Sequence, residues 1–171
     1  FPAGVVTILC GDVQEVGIPL CESTIPKLIT MIGSTETAQA LIRQSSATSL
    51  KRFSMECGGN APFIVFDDAD LDVFISSLKS GIFYNAGQVC SAMARVLVHR
   101  SIYDQAVERA AELANGLRVG HGLEEPEHTP VISATQLTGI ENMTSRAVAA
   151  GVRIAAGGMR IDRDGCFMAP T

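Results

Sequence analysis

The chain lacks the charge that a polyanion would select. Its 13 Lys and Arg face 18 Asp and Glu, for a net charge of −5 and an isoelectric point near 5.1. Nucleic acid is bound through clustered basic side chains, so no nucleic-acid partner is expected. No apolar run approaches the roughly 20 residues that cross a bilayer, and no basic segment leads into a short apolar one as in a secretory leader. No membrane partner is expected either. Five cysteines stand at positions 10, 21, 57, 90 and 166 without a Cys-x-x-Cys pair, which excludes a zinc ribbon or a thioredoxin-like site. Their odd number and wide spacing fit reduced thiols in a cytoplasmic protein, most of them buried as small apolar side chains. His99, His121 and His128 lack metal-ligand spacing and read as structural or solvated. Asp67, Asp68, Asp70 and Asp72 lack the distal Glu of an EF-hand and read as helix capping. No metal site is expected. Gly-x-Gly-x-x-Gly, internal repeats and low-complexity segments are absent as well.

What is present is a globular composition, 47% apolar and 18% charged over 171 residues, enough for a sizeable core. Val5 to Leu9 reads as a strand, Glu15 to Glu22 as a short helix, and Leu28 to Ile32 as a second strand stopped by Gly33. Ser34 or Thr35 caps a helix through Leu41 and Ile42. Lys51 to Glu56 and Ala61 to Phe66 are further strands, the latter apolar throughout as if covered on both faces. Asp68 or Asp70 caps a helix from Leu71 to about Tyr84. A strand follows over Ala94 to His99. Ser101 to Asp104 has capping-box form and opens a helix with Tyr103, Val107, Ala111 and Ala114 on its apolar face. A polar loop spans Gly120 to Pro130. Ser133 opens a helix with Leu137, Ile140, Met143 and Ala147 on one side, and Val152 to Ala156 reads as a last strand before Gly157-Gly158. Strands alternating with helices predict an α/β fold with a largely parallel sheet. The chain opens at Phe1 and ends at Ala169-Pro170-Thr171, and it reads as an internal segment of a longer protein.

Two glycine-rich turns carry the chemistry. Asn85-Ala86-Gly87-Gln88-Val89-Cys90 sets one thiol on a turn between a helix and a strand. Exposure and a nearby helix dipole favour the thiolate, the nucleophilic form; the bland alternative is a core cysteine. Met55-Glu56-Cys57-Gly58-Gly59 ends an apolar strand on a carboxylate. In a partly desolvated pocket Glu56 can serve as a general base near neutral pH; the alternative is a solvated strand-end acid. Gly33-Ser34-Thr35 offers free N–H groups at a helix start, where a phosphate can bind, although many helices start this way without one.

Together these stretches resemble the aldehyde dehydrogenase superfamily. Phe1-Pro2-Ala3-Gly4-Val5-Val6, with Gly11-Asp12 and Glu15-Val16-Gly17, is similar to the segment before the family's cofactor helix. Ile32-Gly33-Ser34-Thr35-Glu36 resembles its pyrophosphate turn. Met55 to Pro62 resembles its glutamate signature and Gly87-Gln88-Val89-Cys90 its cysteine signature, and the 34 positions from Glu56 to Cys90 suit the family. Gly59 to Phe66 leans toward the succinate-semialdehyde dehydrogenase branch.

The resemblance implies an incomplete Rossmann-like cofactor domain over 1–57 and part of a catalytic domain over 58–171. It implies NAD or NADP as cofactor, a small-molecule aldehyde as substrate and a homo-oligomeric parent. Cys90 would attack the aldehyde, Glu56 would activate the hydrolytic water, and Gly33, Ser34, Thr35 and Cys57 would lie along the cofactor. Ile32, Ala38, Cys57 and Thr129 depart from the family's usual Phe, Gly, Leu and Gly. The resemblance also implies that 171 residues alone lack oxyanion and ribose contacts and are inactive in isolation. Two other readings compete: a cysteine hydrolase pairing Cys90 with His99 or His121, and a non-catalytic remnant that binds a partner.

Overall fold

The computed structural model describes residues 1–171. The fold is α/β, as expected, and the chain divides into two compact units, Phe1–Gly58 and Gly59–Thr171. No helix is long and apolar enough to cross a membrane.

The first unit is built on one parallel strand pair. A π-helical turn over Val13–Gly17, capped by the Asp12 carboxylate, runs into α1 (Ile18–Glu22). Then follow β1 (Leu28–Gly33), α2 (Thr35–Ser46) and β2 (Arg52–Cys57). Leu28 pairs with Arg52 and the register runs to Gly33 opposite Cys57. Every second residue is half-buried: Ile29 and Met31 on β1; Phe53, Met55 and Cys57 on β2. The period of two therefore puts one apolar face against the helices, where Cys21 of α1 and Ala38 of α2 are buried. Ser34 caps α2 by accepting from the Thr37 N–H at 3.1 Å. The strand expected over Val5 to Leu9 does not form. It has no neighbouring strand to take up its backbone groups, and an unpaired strand is not stable in water.

The second unit repeats the motif with β3 (Pro62–Val65), α3 (Leu71–Gly81) and β4 (Arg95–Val98). Their parallel register runs from Pro62 opposite Arg95 to Val65 opposite Val98. α4 (Tyr103–Gly116) and α5 (Ala134–Ala149) complete it. The main core gathers Val65, Phe74, Leu78, Phe83, Ala106, Ala114 and Leu117, with Phe63 edge-on to Phe74 at 5.5 Å. A smaller core joins Val131, Leu137 and Met168. Asp70 caps α3, its carboxylate accepting from the Asp72 and Val73 N–H groups.

Several expectations are corrected here. β3 is covered on one face only: Val65 is buried while Ile64 is exposed, because its only neighbour is β4 and the helices lie on one side. α3 stops at Gly81 rather than near Tyr84; a Cβ at Gly81 would collide with the Met93 side chain, which packs there. Ser101 does not form a capping box. It lies inside a 3-10 turn, Arg100–Ile102, and its hydroxyl pairs with His99 Nδ1 at 2.8 Å. The buried stripe of α4 is rotated from the expected one. Ala106, Ala110, Leu113 and Ala114 face the core, joined by Leu117 just past the helix end, while Tyr103 is exposed, since the small alanines allow closer helix approach than a tyrosine would. Met143 of α5 is exposed for want of a covering element. Val152 to Ala156 forms no strand, again for lack of a partner. Of the five free cysteines only Cys21 is buried; Cys10 and Cys90 are exposed. Turns and an unpaired segment leave those two without a covering layer.

Leu78 lies on α3 at 3% exposure in the main core. Leu78→Ala should lower unfolding stability by about 2–5 kcal/mol, read as a drop in the urea midpoint at unchanged slope.

Candidate functional site

In the first unit the parallel register collects five of the expected residues at or just beyond the carboxyl ends of two strands. Gly33 and Cys57 stand opposite each other, with Glu56 opposite Ile32. Ser34 and Thr35 follow directly as cap and first residue of α2. Crevices outside the carboxyl ends of parallel strands are where α/β folds bind ligands. A 12-residue helix starting there turns its unpaired N–H groups and positive dipole end to the same edge. This arrangement fits a pyrophosphate. The Glu36 carboxyl competes for the edge: its own backbone N–H and then the Ser34 hydroxyl hold its pKa below the ordinary carboxylate value. Glu36 is fully exposed, so a bound anion can displace it. Glu56 is also exposed and takes part in none of the ion pairs.

In the second unit Cys90 lies on the connection from α3 to β4, after a left-handed turn. Asn85, Ala86 and Gly87 have φ of 51°, 54° and 73° in succession. Glycine accepts this region freely, but for Ala86 it costs roughly 1–2 kcal/mol. Hydrogen bonds within the turn offset the cost. Asn85 Nδ2 donates to the Gln88 carbonyl at 3.2 Å, and Gln88 Nε2 donates back to the Asn85 carbonyl at 3.1 Å. Gln88 Oε1 accepts from the Ile132 N–H at 2.9 Å. The Val89 and Ala92 N–H groups are taken by Gly87 and Val89 carbonyls, whereas the Cys90 N–H has no acceptor in the protein. The thiol is exposed, and Cys90 is therefore no core cysteine.

Gly59 and Asn60, in the segment before β3, lie against this turn and the start of β4. Because Pro62 pairs with Arg95, the segments before β3 and before β4 run side by side. A Cβ on Gly59 would collide with the Cys90 carbonyl oxygen, so only glycine fits. The Arg95 guanidinium donates twice to the Asn60 carbonyl, at 3.2 and 2.9 Å. Sequence reading took Gly58 and Gly59 as a sharp turn that lets a ligand come close, and it assigned no role to Asn85, Gln88 or Arg95, since the contacts of all these residues depend on strand register and turn handedness. The two glycines after Glu56 were the only visible signal.

Of the two readings open to His128, structural or solvated, the structural one holds. It is buried, edge-on to Phe83, with Nδ1 unpartnered. Burial lowers its pKa, partly offset by a hydrogen bond to the Phe83 backbone. It lines a cavity of about 180 Å³ behind the turn, shared with Ala86, Gly87 and Val131. His99 and His121 do not bond Cys90: His99 pairs with Ser101 and His121 lies edge-on to Phe167 at 4.9 Å. The hydrolase reading therefore lacks its imidazole. A cleft of about 470 Å³ is apolar, is lined by α3, β4, α4, α5 and residues 152–156, and does not include Cys90.

Residues 1–171 match the aldehyde dehydrogenase family along their whole length. The chain belongs to that family. It is 39% identical to a 3-sulfolactaldehyde dehydrogenase of Pseudomonas putida, covering 100% of this chain and 35% of that protein. It is 40% identical to the mitochondrial succinate-semialdehyde dehydrogenase of Mus musculus, covering 100% and 34%. A betaine aldehyde dehydrogenase double mutant from Staphylococcus aureus, solved with NAD+, superposes with a TM-score of 0.92 at 33% identity, covering 99% of this chain and 35% of the other. The chain thus spans about a third of the length of the curated relatives it matches.

Gly59→Ala should push the Cys90 turn outward. Site-resolved alkylation would show a changed Cys90 rate with Cys21 and Cys166 unchanged. His128 gives a pH signature. Its folded pKa lies below the unfolded value near 6.5, so below that pH the unfolded state binds more protons and stability falls. Above it, both states are neutral and the effect vanishes. Denaturation of the wild type between pH 7.5 and 5 should show this loss, and His128→Phe should flatten it.

Proposed function

We propose that this chain carries the nucleophile and general base of a cytoplasmic, NAD(P)-dependent aldehyde dehydrogenase that releases a free carboxylic acid. The observation that carries the reading is the Cys90 turn: an exposed thiol and an unengaged N–H on one residue, on a hydrogen-bonded turn.

The Cys90 thiolate adds to the aldehyde carbonyl carbon, and the C=O π pair moves to oxygen. The free Cys90 N–H donates to that oxyanion, which is preorganised electrostatic stabilisation. The product is a thiohemiacetal on Cys90. NAD(P)+, when bound, would supply the hydride acceptor that the oxidation of the thiohemiacetal to a thioester requires. Gly33, Ser34 and Thr35 would hold its pyrophosphate through N–H groups at the α2 start, and the Cys57 backbone would lie near its nicotinamide. Glu56 takes a proton from water, the hydroxide adds to the thioester carbon, and the Cys90 thiolate leaves with the C–S pair. The carboxylic acid is released and Glu56 gives up its proton to solvent.

The sulfolactaldehyde, succinate-semialdehyde and glutarate-semialdehyde enzymes among the relatives are named for aldehydes that bear an acid group. We take a small anionic aldehyde as the substrate class and a homo-oligomer as the working assembly. The competing reading is a non-catalytic, partner-binding chain. It is favoured by exposed Val5, Val6, Ile8 and Leu9.

In the full chain, Cys90→Ser should lower kcat by roughly 10³-fold or more. Glu56→Gln should give one burst of NAD(P)H followed by turnover slowed about 10²–10⁴-fold. Unchanged turnover in Cys90→Ser would sink the reading. Five equally slow thiols, indifferent to NAD+, would favour the binding chain.

A further inference from the structure

Gln88 uses both ends of its side-chain amide. Oε1 accepts from the Ile132 N–H and Nε2 donates to the Asn85 carbonyl. Reversing the amide would set a donor against the Ile132 N–H, so the orientation is determined by its partners. The Gln88 backbone closes the same ring: its N–H donates to the Asn85 carbonyl at 3.1 Å and its carbonyl accepts from Asn85 Nδ2. The outer anchor is firm. Ile132 lies between Val131, which is buried and bonded to the Cys166 carbonyl, and Ser133, which caps α5. Without Gln88 the left-handed run Asn85-Ala86-Gly87 keeps only the packing of Ala86 on the core of Val131, Leu137 and Met168 and has no hydrogen bond to the start of α5, and such backbone persists only when its surroundings over-determine it. Cys90 stands two residues after Gln88.

We propose that Gln88 is a positioning residue for the Cys90 nucleophile, clamping its turn between Asn85 and the start of α5. It acts through Cys90 and touches no substrate. The role rests on the function proposed above, and its test separates the two. Glutamine donates and accepts at once; methionine of similar length does neither; glutamate accepts from Ile132 at any pH but donates to Asn85 only when protonated. No ionisable side chain bonds Gln88. Its recorded polar partners are Asn85 and Ile132, and the ionisable side chain in the cavity behind the turn is His128. Rates taken relative to wild type at each pH cancel its titration.

In the full chain, with NAD+ or NADP+ and succinate semialdehyde as the probe aldehyde, Gln88→Met should lower the burst rate by about 10–100-fold, the scale set by misplacing a reacting group, with KM within about twofold. Gln88→Glu should be similarly impaired at pH 8 and recover relative to wild type as the pH falls toward 5. Equal burst rates per folded enzyme in both variants, with only a lowered Tm, would reduce Gln88 to a structural role and overturn the proposal. A pH-independent defect in Gln88→Glu would overturn the clamp to Asn85. A full burst in Cys90→Ser would instead overturn the reading of the nucleophile, and the positioning role with it.

Discussion

Parallel pairing across a helix is the constraint on which the rest depends. Two parallel strands cannot be joined by a tight turn, so a helix must cross between them. In each unit the turns before and after the strands then gather at opposite edges. In the first unit the carboxyl edge brings Gly33, Glu56 and Cys57 together with the start of α2. In the second the amino edge sets the segment before β3 beside the segment before β4, and Gly59 meets Cys90. The register that pairs Pro62 with Arg95 decides which atoms touch.

The second unit adds strain to that geometry. Three left-handed residues lead to Cys90, and one of them is alanine. The backbone holds because Asn85 and Gln88 satisfy each other and because Gln88 reaches Ile132. A thiol on a strained, closed turn has fewer orientations than one on an open loop, and its free N–H points where no protein acceptor competes. Behind the turn, a buried neutral imidazole and a small cavity make the support sensitive to acid.

Much of the fold was legible from pattern. β1 and β2 alternate as half-buried strands should, and Ser34, Asp70 and Ser133 cap the helices they precede. Val5 to Leu9 and Val152 to Ala156 carry equally good strand composition and form none, because strand formation needs a partner that composition does not reveal. The apolar face expected of α4 was Tyr103, Val107, Ala111 and Ala114, and the helix instead buries Ala106 and Ala114 with Ala110 and Leu113 packed beside them, because close packing selects by size.

The candidate site was legible as residue types on glycine-rich turns. Cys90, Glu56 and the Gly33-Ser34-Thr35 turn stand out in the sequence because a reactive side chain beside glycine is a local signal. The sequence by itself determined the helix caps, the strand candidates and membership in the aldehyde dehydrogenase family. Only the tertiary structure decided that Gly59 backs onto Cys90, that Asn85 and Gln88 clamp the turn, and that His128 is buried. Those contacts join residues 3 to 45 positions apart, and strand register and turn handedness, which bring them together, are not encoded in any one local pattern.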